Sequence, residues 1–173
     1  MAQTPKDPRD AAHWDAVDEA SELVQEERYA DALVQLRDVI RRDPNNPYAY
    51  NLLGVAFFEL GQREAARDAY QAAVRLSPEY LGARVALSHV LRLLGNADGA
   101  LAQAREALNR FPKDPDALHA AGLAYAAKGN RPAARQQLES FLSQNPEFEA
   151  AQEVRQILEM LGLGPDDEPL EFD

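Results

Sequence analysis

Apolar and small residues recur along the chain with a helical period, and the same arrangement returns every 34 residues. In the interval 47–80, a run with apolar residues three or four apart ends at Gly61, and an alanine-rich run follows up to Pro78. Glycine commonly ends a helix, and proline stops one because it lacks an N–H. β-branched runs with period-two alternation are absent. Each interval therefore predicts two helices joined by a turn.

Three sets of residues mark this period at equal spacing. They are Pro44, Pro78, Pro112 and Pro146, then Gly61, Gly95 and Gly129, then Ala32, Ala66, Ala100 and Ala134. The alanines lie early in each second helix, where a small side chain lets two helices approach closely. The pairs Asn46-Pro47 and Asp114-Pro115 begin the next unit, as an N-cap followed by proline at the first helical position. The predicted units are 13–46, 47–80, 81–114 and 115–148.

The 34-residue unit resembles the tetratricopeptide repeat (TPR). In unit 47–80 the signature positions hold Tyr50, Leu53, Gly54, Phe57, Gly61, Ala66, Tyr70, Ala73 and Pro78. Unit 81–114 departs at Arg84, where a large apolar residue is usual, and unit 13–46 departs at Ala16, Glu19 and Glu27. A terminal unit of a solenoid is expected to be atypical because one of its faces meets water. The resemblance implies an all-α fold, an antiparallel helix-pair solenoid forming an open right-handed superhelical arc.

The two ends of the chain differ from the repeats. Residues 1–12 are expected to be a flexible N-terminal segment. Residues 149–161 carry Val154, Ile157, Leu158 and Leu161 on one side and polar residues on the other, which predicts a helix capping the last repeat. The TPR domain is thus predicted to cover 13–161. Residues 162–173 are rich in acidic side chains and proline, and we expect a disordered acidic tail there.

Composition and charge restrict the classes of function that the chain can have. Apolar residues form 46% of the chain, enough for a folded core, and the absence of cysteine excludes disulfides and thiolate sites. No run approaches the roughly 18 apolar residues of a membrane span, so we expect a cytoplasmic protein without membrane insertion. The net charge of −11 argues against nucleic acid as a partner. Arginine exceeds lysine by 15 to 3, which favours a bacterial source.

The resemblance also implies where a partner binds, because the first helices of successive units line a concave groove. The predicted protein-binding residues are Trp14, Val17, Tyr48, Asn51, Leu52, Val55, Phe58, Glu59, Val85, His89, Arg92, His119 and Leu123. Chaperone-binding members of the family hold a partner's carboxylate with lysine, arginine and asparagine. In one register those positions hold Val17, Ser21, Leu52, Gly82 and Ala86, and in the other Asn51, Val55, Ala86, Asp116 and Ala120. Neither register supplies a cation, so acidic chaperone tails are excluded as ligands.

Tyr48 and Phe58 are the predicted anchors, since aromatic residues in grooves often carry binding energy. Leu52, Val55 and Val85 fit packing between helices as well as binding. His89 and His119 lie on neighbouring units, but no third metal ligand accompanies them, so we expect groove histidines and no metal. No serine lies in a nucleophile elbow and no glycine-rich phosphate loop is present. The sequence predicts neither an enzyme nor a cofactor.

These patterns favour a non-catalytic adaptor or scaffold that binds a peptide or an amphipathic helix of a partner protein. One alternative is a bacterial secretion-type chaperone that holds an apolar client segment, and another is a regulatory subunit of a partner enzyme. Self-association through the end repeats or the acidic tail is a further expectation. In the tail, Leu170 and Phe172 alternate with acidic residues and could occupy a groove as a tethered ligand.

Overall fold

The computed structural model describes residues 8–162 and contains ten α-helices and no strand in that range. The helices are α1 (Pro8–Asp15), α2 (Asp18–Gln25), α3 (Tyr29–Arg42), α4 (Pro47–Glu59), α5 (Arg63–Leu76), α6 (Leu81–Leu93), α7 (Ala97–Arg110), α8 (Pro115–Ala127), α9 (Arg131–Leu142) and α10 (Phe148–Gly162). Consecutive helices from α2 to α10 pack in antiparallel pairs, and α6 also contacts α8. The predicted all-α helix-pair solenoid is confirmed. We call α2, α4, α6, α8 and α10 the inner helices and α3, α5, α7 and α9 the outer helices.

Glycine makes the turn inside three of the units. Gly61, Gly95 and Gly129 have φ of 75°, 79° and 74°, the left-handed conformation that a side chain disfavours. At the first of these turns, the Gln62 N–H donates to the Phe57 carbonyl at 2.8 Å, so the end of α4 keeps its carbonyls satisfied. The first unit makes the same turn with Glu27 at φ 59°, which is consistent with its degenerate sequence.

Small residues bring the paired helices together. A Cβ added to Gly54 would lie 2.6 Å from the Tyr70 ring, and one added to Gly122 would lie 2.5 Å from Leu138. These two glycines therefore leave the space that a bulky outer-helix side chain fills. The repeated alanines behave as predicted, because Ala32, Ala66, Ala100 and Ala134 are all completely buried.

The predicted N-caps are present. Asn46 accepts hydrogen bonds from the N–H groups of Tyr48 and Ala49, and Asp114 accepts one from Ala117. Asn46 also donates from Nδ2 to the His13 carbonyl at 2.9 Å, which ties α1 to the start of α4. Because Asn46 is fully buried, its side chain serves the tertiary structure as well as the helix end.

The first unit differs from the prediction. Its inner helix is interrupted at Ala16 and Val17, and α1 begins at Pro8, inside the segment 1–12 that was predicted to be flexible. The physical reason is tertiary packing against later residues: His13 Nε2 lies 2.9 Å from the Asp43 carboxylate, and the Trp14 ring stacks on Tyr48. Residues 1–7 lie outside the described residues.

Helix α10 closes the described stack. It begins one residue before and ends one residue after the predicted capping helix 149–161. Val154 is completely buried against Leu118, Leu138 and Phe141, and the apolar side predicted for this helix packs there. Arg155, Gln156 and Glu159 are exposed, which gives the helix a polar outer side. The acidic tail predicted for 162–173 lies, after Gly162, outside the described residues.

Arg84, which departs from the family pattern, is buried and hydrogen-bonded. Its Nη1 donates to Gln103 Oε1 on α7, and its Nη2 donates to the Pro78 carbonyl, both at 2.9 Å. The guanidinium therefore joins the loop before α6 to the outer helix of the same unit. This contact replaces the apolar packing that a large aliphatic residue would make.

Candidate functional site

A pocket of about 340 Å³ opens on the face formed by α4, α6 and α8. Its lining combines apolar residues, two histidines, one arginine and one aspartate. These residues are Phe58, Tyr70, Gly82, Val85, Ala86, Ser88, His89, Arg92, Asp116, His119, Ala120 and Leu123. The pocket therefore spans three consecutive units of the repeat, because each unit contributes its inner helix.

Six of the predicted binding residues line this pocket, namely Phe58, Val85, His89, Arg92, His119 and Leu123. Leu52 packs against the core of the first unit, and Val55 packs against the core around Tyr70, so both contribute to helix packing. Asn51 is half-buried outside the pocket lining. Glu59 is exposed. Desolvation raises the pKa of Tyr70 and Tyr29, and the charge of Glu59 raises it further, which places Glu59 near these outer-helix tyrosines.

Val17 was predicted to bind a partner, but it is completely buried in the structure and cannot contact a ligand. It packs with Ala20, Leu23 and Leu36 in the core of the first unit. In the later units, the equivalent positions are only partly buried and hold Asn51, Val85 and His119. The interruption between α1 and α2 at this residue explains the difference, since it departs from the straight inner helix of the other units.

A separate aromatic cluster lies at the N-terminal end of the array. The Trp14 and Tyr48 rings stack with centroids 4.3 Å apart, and Tyr80 meets Tyr48 edge-on at 5.2 Å. Trp14 is 39% exposed, so this cluster is open to solvent. Burial raises the pKa of Tyr80, and the charge of Tyr48 adds to the shift. Tyr80 was missed by sequence reasoning, although it is an aromatic at the position where two other units carry the N-caps Asn46 and Asp114.

The two histidines of the pocket favour the neutral state. Arg92 Nη2 lies 3.3 Å from His89 Nδ1, and since a guanidinium only donates, Nδ1 is the acceptor. Desolvation lowers the pKa of His89, and the charge of Arg92 lowers it further. His119 stacks on Phe141 with ring centroids 5.0 Å apart, and desolvation likewise lowers its pKa, against the opposing charges of Glu153 and Asp116.

Arg92 is the cation of this pocket, and its hydrogen-bond partner is the His89 ring. Within residues 8–162, no carboxylate lies at ion-pair distance from its guanidinium. The ring of Phe58 lies next to the same histidine, with centroids 5.6 Å apart. The pocket can therefore offer N–H donors and positive charge beside an aromatic ring, and a ligand with a carboxylate and an apolar group would satisfy both.

Several pocket residues escaped the sequence prediction. Tyr70 belongs to an outer helix, and it reaches the pocket because Gly54 leaves room for its ring against α4. Gly82, Ala86 and Ala120 are small residues on inner helices; Gly82 and Ala86 are one turn apart on α6, and Ala120 is the equivalent of Ala86 one repeat later on α8. Glu153 on α10 was predicted to belong to the polar outer side, yet its charge reaches both His89 and His119.

No group of three or more potential metal ligands occurs among residues 8–162. In the same range no helix has the length and hydropathy that crossing a membrane requires.

We expect the stability of the protein to fall as the pH is lowered below the ordinary histidine pKa of about 6.5. The pKa values of His89 and His119 are lowered in the folded state, so the unfolded chain takes up protons first on acidification. Urea denaturation at about pH 7.5 and about pH 5.5 would measure this as a drop in midpoint. The drop should be smaller in the double variant His89→Gln/His119→Gln, and an equal drop in both proteins would contradict the assignment.

Known proteins are similar to this chain in sequence and in architecture. The family model described as tetratricopeptide repeat matches residues 17–80, 58–117 and 85–147. Anaphase-promoting complex subunit 7 of Arabidopsis thaliana is 33% identical over 142 residues, covering 79% of this chain and 25% of that protein. Superkiller complex protein 3 of Mus musculus is 35% identical over 66 residues, covering 38% of this chain and 4% of that protein. The chain thus spans a quarter or less of the length of these curated relatives.

Two solved structures illustrate the likeness in three dimensions. The crystal structure of YrrB, a TPR protein with an unusual peptide-binding site, is 26% identical with a TM-score of 0.70, covering 84% of this chain and 75% of that chain. A crystal structure of MamA is also 26% identical, with a TM-score of 0.68, covering 82% of this chain and 79% of that chain.

Proposed function

Since this chain belongs to the tetratricopeptide repeat family, we propose that it is a non-catalytic adaptor or scaffold that binds a peptide or an amphipathic helix of a partner protein. The pocket across α4, α6 and α8 is the observation that carries the proposal. It has apolar walls and a cation without a carboxylate partner among the described residues. The peptide-binding site of the YrrB structure supports the same kind of ligand.

The pocket suits an inserted side chain better than a flat contact. Phe58, Val85 and Leu123 provide apolar surface, and the small residues around them leave depth. An anchor residue placed in such a pocket is desolvated on all sides, which is the usual setting of a binding hot spot. Polar groups at the margin then select the register of the bound segment.

We expect Phe58→Ala to weaken partner binding by about tenfold or more, because truncating an aromatic hot spot removes most of its contact. The matched control is Val34→Ala, which truncates an exposed apolar residue on α3, remote from the pocket lining. The measurement is the dissociation constant of a partner captured by the full chain, with circular dichroism to show that both variants remain folded.

The site of contact can be tested independently of the affinity. A photo-crosslinking amino acid at Leu123 should label the partner, whereas the same amino acid at Val34 should not. The proposal would be refuted if a folded Phe58→Ala protein kept its affinity and the crosslinker at Val34 labelled the partner. That result would place the binding site on the outer helices.

A further inference from the structure

The pocket carries opposite charges at opposite ends. Arg92 precedes the last residue of α6, whereas Asp116 is the second residue of α8. Because α6 and α8 begin successive units and run in the same direction, these residues lie at opposite ends of the inner helices. Ten helical positions at 1.5 Å each correspond to a separation of about 15 Å along the helix axis. The lining between them is predominantly apolar.

The two pocket histidines are arranged along the same axis between the cationic and the acidic end. The pKa of His89 is lowered by desolvation and then by Arg92, which places this ring in the cationic half. His119 lies three positions after Asp116 on α8, on the acidic side of the pocket. The desolvation that lowers its pKa is opposed by Glu153 and Asp116, and the charge of Arg92 lowers this pKa as well. Glu153 is exposed on α10 outside the pocket lining and its charge reaches both histidines, so Asp116 is the carboxylate that lines the acidic end.

The remaining carboxylate near the cationic end does not neutralise it. Glu59 ends α4, but its charge acts on Tyr70 and Tyr29, and these two described residues, Glu59 and Arg92, form no ion pair with each other. Arg92 therefore has room for an acidic group from outside the chain. A charge pair in a partly desolvated pocket selects among ligands and sets their orientation.

The geometry points to an extended peptide segment as the ligand, with an acidic side chain at Arg92, a large apolar side chain at Phe58 and Leu123, and a basic side chain at Asp116. This inference rests on the proposed function of the pocket and adds the chemistry of its partner. An extended chain rises about 3.3 Å per residue, so the separation along the helix axis alone corresponds to four or five residues between the acidic and basic side chains. The apolar residue lies between them.

Selecting displayed random peptides for binding to the full chain tests this charge order. Selection on the natural sequence should enrich peptides with an acidic and a basic residue four or five apart and an apolar residue between them. Selection on Arg92→Glu should enrich basic residues at both ends, and selection on Asp116→Lys should enrich acidic residues at both ends. Arg41→Glu, on an exposed part of α3, changes the net charge by the same amount as Arg92→Glu. Selection on this control should enrich the same peptides as selection on the natural sequence.

Synthetic peptides from the selection provide the quantitative test. Exchanging the acidic residue for lysine should weaken binding to the natural sequence by about fivefold to tenfold, and strengthen binding to Arg92→Glu by a similar factor. Peptides enriched without this charge order, or with the same order on every variant, would overturn the inference and leave the groove as a binding site. Failure to enrich any peptide above the level of Phe58→Asp would overturn the proposed function as well.

Discussion

We expect Gly122→Ala to lower the free energy of unfolding by about 1–3 kcal/mol, although alanine is the better helix former. Gly122 lies within α8, and an added Cβ would approach two side-chain carbons of Leu138 at 2.5 and 2.6 Å. Leu138 is completely buried on α9 and packs against Phe141 and Val154, so it has no free space into which to retreat. The helix pair of the fourth unit must therefore separate or distort.

The matched control is Gly82→Ala, the same change at an exposed position in the first turn of α6. An added Cβ there meets only Tyr80, at an ordinary contact distance of 3.5 Å. We expect the free energy of unfolding to stay unchanged or to rise by up to about 1 kcal/mol, because the unfolded chain loses freedom. Urea denaturation followed by circular dichroism measures both variants. Equal changes in the free energy of unfolding at the two glycines would show that close helix packing does not explain the effect of Gly122→Ala.

The repeat period made most of the fold predictable, because each marker residue has a local physical cause. Gly61 and its equivalents adopt positive φ, and the repeated alanines are buried where helices approach. The prediction was weakest in the first unit, where Glu27 stands in place of the turn glycine. Helix α1 is held by the contacts of His13 and Trp14 with residues more than 29 positions later, and a local sequence pattern does not contain that information.

The binding face was predictable in outline, since the helical period indicates which positions share a face of α4, α6 and α8. Burial of individual positions was not predictable, because it depends on the path of the neighbouring helix. Val17 is buried where α1 and α2 meet, whereas Tyr70 reaches the pocket from an outer helix. Glu153 acts on the pocket histidines because α10 takes the place of a further inner helix.

We expect Asn46→Ala to lower the free energy of unfolding by about 2–3 kcal/mol, more than the loss of an ordinary N-cap. Its Oδ1 accepts from the N–H groups of Tyr48 and Ala49 at 3.0 and 3.1 Å, and its Nδ2 donates to the His13 carbonyl. An alanine side chain can neither accept the two N–H hydrogen bonds nor donate to the His13 carbonyl. The start of α4 loses its cap, and α1 loses a hydrogen bond that holds it on the second unit.

Asp114→Ala is the control that separates the two losses, because Asp114 caps α8 through one hydrogen bond to the Ala117 N–H. This variant should lose about 1 kcal/mol, the usual contribution of an N-cap. Hydrogen exchange adds a local measurement, since amides of α1 should lose protection in Asn46→Ala and keep it in Asp114→Ala. Equal losses of stability in the two variants would mean that the Asn46–His13 hydrogen bond contributes nothing. A larger loss in Asn46→Ala, with exchange confined to α1 and the start of α4, would show that one buried amide joins the degenerate first unit to the regular repeats.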